Sequence, residues 1–279
     1  MLQSVTETRI EWMRSAALPA AEFLLAENDR TAWHVFHGRY VLCATESGSA
    51  LCLYRGKAES LSDGVTMLME PGESHRNLTV PQSQNFRVVF LDPDRFVDAA
   101  KEHGMQATPH FRTFLAPDPR LTAAIYRLCA SVERQDTALE QQSRLAACLR
   151  LALSHAEEHL RPPGPGYAHH AIQRARAYLQ ERFNEPVTLD ELSAFAGLSP
   201  FHLVRSFARQ IGVPPHAYQN HVRVERGRAL LCAGVSPAET AAQVGFADQS
   251  HFTRHFRRIL NVTPAAYARR ALSGPSRKR

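Results

Sequence analysis

Arg205 and Arg254 occupy the same place in two stretches of this 279-residue chain that are nearly copies of one another. Pro200 to Tyr218 and Gln249 to Tyr267, 49 positions apart, share 8 of 19 aligned residues: His202/His251, Arg205/Arg254, Phe207/Phe256, Arg209/Arg258, Val213/Val262, Pro215/Pro264, Ala217/Ala266 and Tyr218/Tyr267. A guanidinium on a helix surface can take the O6 and N7 edge of a guanine with two parallel hydrogen bonds, or it can hold a phosphate. Both readings stay open for Arg205 and Arg254. Gln249 can read an adenine or cap its helix. Phe201 and Val204 flank the first arginine; Ser250, His251 and Thr253 flank the second. Arg209, Arg257 and Arg258 are expected to hold the nucleic-acid backbone. His202 and His251 lie on the helix flank, nearer to a phosphate or structural role, and Phe207, Phe246, Phe256, Tyr218 and Tyr267 are expected in the core.

Such side chains need rigid helices behind them. Leu203, Phe207 and Ile211 recur at i, i+4 and i+8, as do Phe252, Phe256 and Leu260, so each copy has one apolar face and an outer face that is small, polar and basic. Thr188-Leu-Asp-Glu191 and Ser236-Pro-Ala-Glu239 read as capping boxes of a shorter helix ahead of each copy. Gly197-Leu198-Ser199 and Val244-Gly245-Phe246-Ala247-Asp248 supply the turns, with Ser199 as N-cap and Pro200 at the first helical position. Helix, glycine-containing turn and helix with a basic outer face make a helix-turn-helix, twice over: 188–211 and 236–260. Pro214-Pro215 starts a joining helix over 214–232, about 27 Å long at ~1.5 Å per residue, which suits the ~34 Å repeat along one side of B-DNA.

The region from Ala171 to Arg270 resembles the DNA-binding domain of the AraC/XylS family of bacterial transcription regulators. The resemblance is carried by Ala196-Gly-Leu-Ser199, His202-Leu-x-Arg-x-Phe207, Arg223-x4-Arg228-Ala229-x-Leu231, Val244-Gly-Phe246, Phe252-x-Arg-x-Phe256 and Thr263-Pro-x-x-Tyr267. It implies a double-stranded DNA operator as partner, a small-molecule effector, activation through RNA polymerase and a cytoplasmic location.

Charge agrees. The chain carries a formal +6, yet residues 167–279 hold 16 Lys and Arg against 7 Asp and Glu, while residues 1–166 hold 17 against 20. The positive excess therefore sits wholly in the duplicated half. No apolar run is long enough to span a bilayer, and the first residues do not read as a signal peptide. Five cysteines without CxxC spacing point to reduced thiols.

Ahead of the duplication, short strand-like runs at 32–35, 40–44, 50–54, 65–69 and 86–91 alternate with turn residues, which suggests a small antiparallel barrel or sandwich. Gly64-Val-Thr-Met-Leu-Met-Glu-Pro-Gly-Glu-Ser-His75 resembles the second cupin motif. The expected fold class is therefore α+β in two domains: a cupin-like sensor over 1–160, a Pro/Gly linker at 161–166, and an all-α DNA-binding domain over 167–279. Candidate effector contacts are Trp33, His34, His37, Arg39, Tyr40, Glu73 and His75; Arg39 or Arg55 would suit an anionic ligand. His34 and His37 are three apart, so on a strand only one of them can face His75, and neither a metal nor another cofactor is expected. A catalytic cupin fused to a DNA anchor is the competing reading, one that bound metal would favour. Two helices are expected at 118–134 and 138–160. The second carries Leu145, Cys148, Leu149, Ala152, Leu153 and Ala156 in one stripe, readable either as packing on the barrel or as a homodimer seam.

Overall fold

The structure, a computed structural model, describes residues 7–106, 108–158 and 167–273. Its first part is one rolled antiparallel sheet. Its strands are β1 (Arg9–Arg14), β2 (Ala21–Asp29), β3 (His34–His37), β4 (Tyr40–Tyr54), β5 (Lys57–Leu61), β6 (Thr66–Met69), β7 (Glu73–Leu91) and β9 (Leu115–Ala116); β8 (Pro109–Phe111), which precedes β9 in the chain, lies outside it. Their order is β1-β2-β7-β4-β6-β9, with β3 added to β7 and β5 to β4. The roll comes from the two long strands, because β4 and β7 pair along both halves. Ser47-Gly48-Ser49, readable as a break, is instead a run of register shifts inside β4. Gly48 sits there at φ 99°, and a Cβ on it would lie 2.2 Å from the Ser83 carbonyl oxygen. The bulge bends the strand without ending it.

Both faces are buried along β2, β6, the first half of β4 and the end of β7, and the sequence shows it there as apolar runs without alternation. Leu24, Ala26, Val41, Cys43, Val88 and Phe90 turn into the roll, whereas Phe23, Leu25, Leu42, Ala44, Val89 and Leu91 turn outward. The outer set is covered by α1 (Pro93–Glu102), α2 (Pro119–Glu133) and α3 (Ala138–Leu153). The α3 stripe Leu145, Cys148, Leu149, Ala152 and Leu153 is spent in that contact. The helix is also shorter than expected: it stops at Leu153, and β10 (Ala156–Glu158) pairs with β8. The linker expected at 161–166 lies outside the described residues.

The second part is helical: α4 (Tyr167–Glu181), α5 (Leu189–Ala196), α6 (Pro200–Ile211), α7 (Pro215–Cys232), α8 (Pro237–Gln243), α9 (Gln249–Leu260) and α10 (Pro264–Ser273). The repeat seen in the sequence is a repeat in space. Phe207 meets Tyr218 edge-on at 5.5 Å, and Phe256 meets Tyr267 edge-on at 5.4 Å. Each tyrosine hydroxyl takes an arginine Nε at 3.2 Å, from Arg176 in the first copy and Arg228 in the second. Gly227 lets α7 run close to its neighbours, since a Cβ there would touch the Phe252 ring at 3.0 Å.

Candidate nucleic-acid interface and effector cavity

Each module starts its helices with side-chain caps. Thr188 accepts from the Glu191 amide, Ser199 from the His202 amide, and Asp248 from the His251 amide. Ser236 and Glu239 form the full reciprocal box. At Thr188 only half of the expected box is present, because the Glu191 carboxylate is engaged by the Tyr178 hydroxyl. Gly212 and Asn261 end α6 and α9 at φ 89° and 58°, so the same left-handed stop closes both helices.

These caps fix which way the outer faces point. On α6, Phe201 is 78% exposed, Arg205 and Arg209 are exposed, and Val204 is half-buried. On α9, Gln249, Ser250, Thr253, Arg254, Arg257 and Arg258 line one open groove together with Asn261. The expected readers are thus together on the second helix and outward on the first. His251 behaves as support: its ring packs edge-on against Phe246 at 5.2 Å, and its Nε2 lies 3.0 Å from His255 Nε2. Arg258 in turn reaches His255 Nδ1 at 3.1 Å.

The roll of the sheet encloses a cavity of about 50 Å³. Trp33, His37 and His75 line it, as expected. His37 and His75 stand 5.5 Å apart ring to ring, and burial holds His75 down at about 4 and His37 well below the usual imidazole range, so both are neutral. His75 Nδ1 has no hydrogen-bond partner among the described residues. Four expected contacts lie elsewhere. His34 projects from the opposite face of β3 into a groove beside the end of α6. Arg39 is drawn off by two carboxylates, Glu22 at 2.9 Å and Asp92 at 3.0 Å. Tyr40 points to the helix-covered face, stacked on Phe96 with its hydroxyl on the Pro109 carbonyl. Glu73 is held by the Tyr54 hydroxyl and by Arg55, which also pairs with Glu70. Among the described residues no group of three or more His, Cys, Asp or Glu is placed to hold a metal ion.

The wall opposite the sheet comes from the helical part. Glu225 of α7 and Ile259 and Leu260 of α9 close the cavity. The Trp12 indole donates to the Leu260 carbonyl at 3.3 Å, and the Asn261 amide to Thr31 Oγ1 at 3.1 Å. Beside them runs a chain of buried charges. Arg228 gives one nitrogen each to Tyr267, Glu225 and Glu22, and Glu22 also takes the Tyr267 hydroxyl. Glu22 and Arg228 are each 1% exposed. The first module is gripped as well: Phe36 meets Tyr218 edge-on at 4.7 Å, and Ser74 Oγ donates to the Ile211 carbonyl at 2.8 Å. Glu22, Glu225 and Trp12 were not singled out from the sequence. The available signal was Glu22, a lone acid within the apolar run Ala20 to Ala26, where a buried charge demands a partner.

A rolled sheet with an internal cavity, followed by two exposed helix-turn-helix modules, defines a DNA-binding regulator with a ligand-binding domain. Residues 192–270 match the family model described as a helix-turn-helix domain, and residues 22–149 the one described as an AraC-like ligand binding domain. The chain belongs to the AraC/XylS family of transcription regulators. It is similar to the HTH-type transcriptional regulator YbfI of Bacillus subtilis, 28% identical over 218 residues, which cover 77% of this chain and 79% of that one. It is also similar to the HTH-type transcriptional activator RhaS of Escherichia coli, 24% identical over 243 residues, covering 82% and 84%. Apo ToxT of Vibrio cholerae shares the fold along 94% of this chain and 97% of its own, with a TM-score of 0.56 at 13% identity. No helix among the described residues is long and apolar enough to cross a membrane.

Proposed function

We propose that this regulator is a sequence-specific transcription activator, controlled by a small molecule in the barrel cavity. One observation carries the reading: α9 presents Gln249, Ser250 and Arg254 outward at its start and closes the cavity with Ile259 and Leu260 at its end. A ligand that enlarges the cavity must move that end, and with it the helix that faces DNA. Arg205 and Arg254 read base edges in two adjacent major-groove segments, Phe201 and Val204 add apolar contact, and Arg209, Arg257 and Arg258 hold phosphates. The division of labour falls at the 161–166 linker, with DNA binding in 167–279, in the cytoplasm and with RNA polymerase as the partner of activation. No catalytic role is assigned. A homodimer through 138–160 would use the outer face of α3, where Leu139, Ala146 and Ala147 are exposed, since the inner stripe is already covered.

The test is operator binding by the full chain and by a 167–279 fragment, each with and without a metabolite extract. The expected result is a full chain whose operator affinity changes with the extract and a fragment whose affinity does not. A fragment that responds as the full chain does would remove the sensor from the mechanism.

A further inference from the structure

Building on the cavity as the effector site, the residues around it also set the charge of what it takes. Among the described residues the cavity wall contains no lysine or arginine; its ionisable residues are His37, His75, Glu225 and Cys43, whose thiol burial keeps neutral. Burial keeps both histidines neutral, and His75 Nδ1 has no partner among the described residues. Glu225 uses Oε1 for Arg228 at 2.7 Å, and its Oε2 has no hydrogen-bond partner among the described residues. Each nitrogen of Arg228 is already engaged, by Tyr267, Glu225 and Glu22, which holds the guanidinium outside the cavity lining.

The linked charges run Asp92, Arg39, Glu22, Arg228, Glu225. Asp92 is half-exposed and solvated, and the buried carboxyls Glu22 and Glu225 are matched by Arg39 and Arg228; the end that reaches the cavity is the Glu225 carboxyl, which burial raises to about 7. Arg14, whose charge reaches Tyr267, makes no ion pair with Glu22 or Glu225. An anion entering here would meet Glu225 with no cation to pair it, which is costly in a desolvated site. A cation would hold Glu225 ionised and pair with its free oxygen, and the rings of Trp33 and Phe86 on the same wall favour it further, those of Trp12 and Phe90 being already covered by Arg228.

We propose that the cavity is a site for a small organic monocation, a primary amine on a flat apolar body, with its ammonium on Glu225 and its body among Trp12, Trp33 and Phe86. His75 offers a second acceptor. The present volume of about 50 Å³ is below the ~150 Å³ that accommodates benzene, so the occupant displaces Ile259 and Leu260 as it enters.

The chain contains two tryptophans, Trp12 and Trp33, and both line the cavity, so intrinsic fluorescence reads occupancy directly. The experiment titrates the full-length protein with benzylamine, benzyl alcohol and benzoate, three probes of one shape and different charge. The expected result is saturable binding of benzylamine about tenfold or more tighter than benzyl alcohol, with benzoate weakest. Glu225→Gln should bring amine and alcohol to the same affinity, with the alcohol showing that the variant's site is intact; where that variant does not fold, the three probes on the native chain decide alone. Benzoate binding as tightly as benzylamine, or no response to benzylamine at millimolar concentration, overturns the proposal. Neither result touches effector control, which is judged separately by the extract-dependent operator affinity above.

Discussion

Side chains at the outer starts of α6 and α9 differ in kind, and the difference sets what each can recognise. Phe201 and Val204 flank Arg205 with apolar surface, whereas Gln249, Ser250 and Thr253 surround Arg254 with hydrogen-bonding groups. A thymine methyl suits the first, a purine edge the second. Arg205→Ala and Arg254→Ala are expected to cost about 1–3 kcal/mol each and to relax preference at separate subsites, read as affinity for operators altered one base pair at a time. Uniform weakening across all sequences, with a shallower salt dependence, would reassign either arginine to a phosphate. The histidines between the two parts make a second residue-scale prediction. Burial holds His75 at about 4 and His221 at about 3, below the ~6.5 of an unfolded chain, so the unfolded state binds protons first as pH falls. Their full contribution to stability is present above about pH 6.5 and is lost as pH drops toward 4, at up to roughly 1.4 kcal/mol per pH unit for each. Urea midpoints at pH 7, 6 and 5 should fall in that order, and His75→Gln should flatten the trend.

At the scale of elements, turns decide whether the second module forms. Gly245 adopts φ 81°, and a Cβ on it would lie 2.3 Å from the Asn184 carbonyl oxygen. Gly245→Ala therefore combines backbone strain with a clash against backbone, and about 2–3 kcal/mol of stability should be lost in a denaturant titration. Ser236→Ala, which breaks the reciprocal cap of α8, should cost nearer ~1 kcal/mol. The helical half was legible in the sequence because its signals are local: caps, glycine turns, a 3.6-residue period and an internal copy that checks every reading against a second one. The sheet was legible only in outline. Strand β2, with Phe23 and Leu25 on one face and Leu24 and Ala26 on the other, has no period-2 pattern to detect because both faces are covered. Ser47-Gly48-Ser49 spells a turn yet serves as a bulge, since what fixes it is the nearby Ser83 backbone. Arg39 was misplaced for a similar reason: Glu22 and Asp92, which capture it, are neighbours only in the folded chain.

For the molecule as a whole, the contact between the halves is ionic at its centre and aromatic around it. Removing Arg228 leaves Glu22 and Glu225 with unbalanced charge in a dry interface, so Arg228→Met should lose about 3–5 kcal/mol. Adding Glu22→Gln to that variant should return a substantial part, and the double-mutant cycle measures the coupling. The contacts between the halves run straight across from the sheet to α7 and α9, where sequence separations of more than two hundred residues hide them: Trp12 with Leu260, Glu22 with Arg228 and Tyr267. One consequence follows from the length of α9. Arg254 and Ile259 are five residues apart on one rigid helix, about 7–8 Å along its axis. Under the proposed effector control, news of an occupied cavity would have less than two turns of helix to cross before meeting a base pair, and no relay would be needed. On that proposal the same shortness would bind the two specificities together in descent: a one-residue insertion between Arg254 and Ile259 would swing one face about 100° against the other, and a lineage that changed its inducer by rebuilding the cavity roof would rebuild, in the same stroke, the seat of its operator-reading helix.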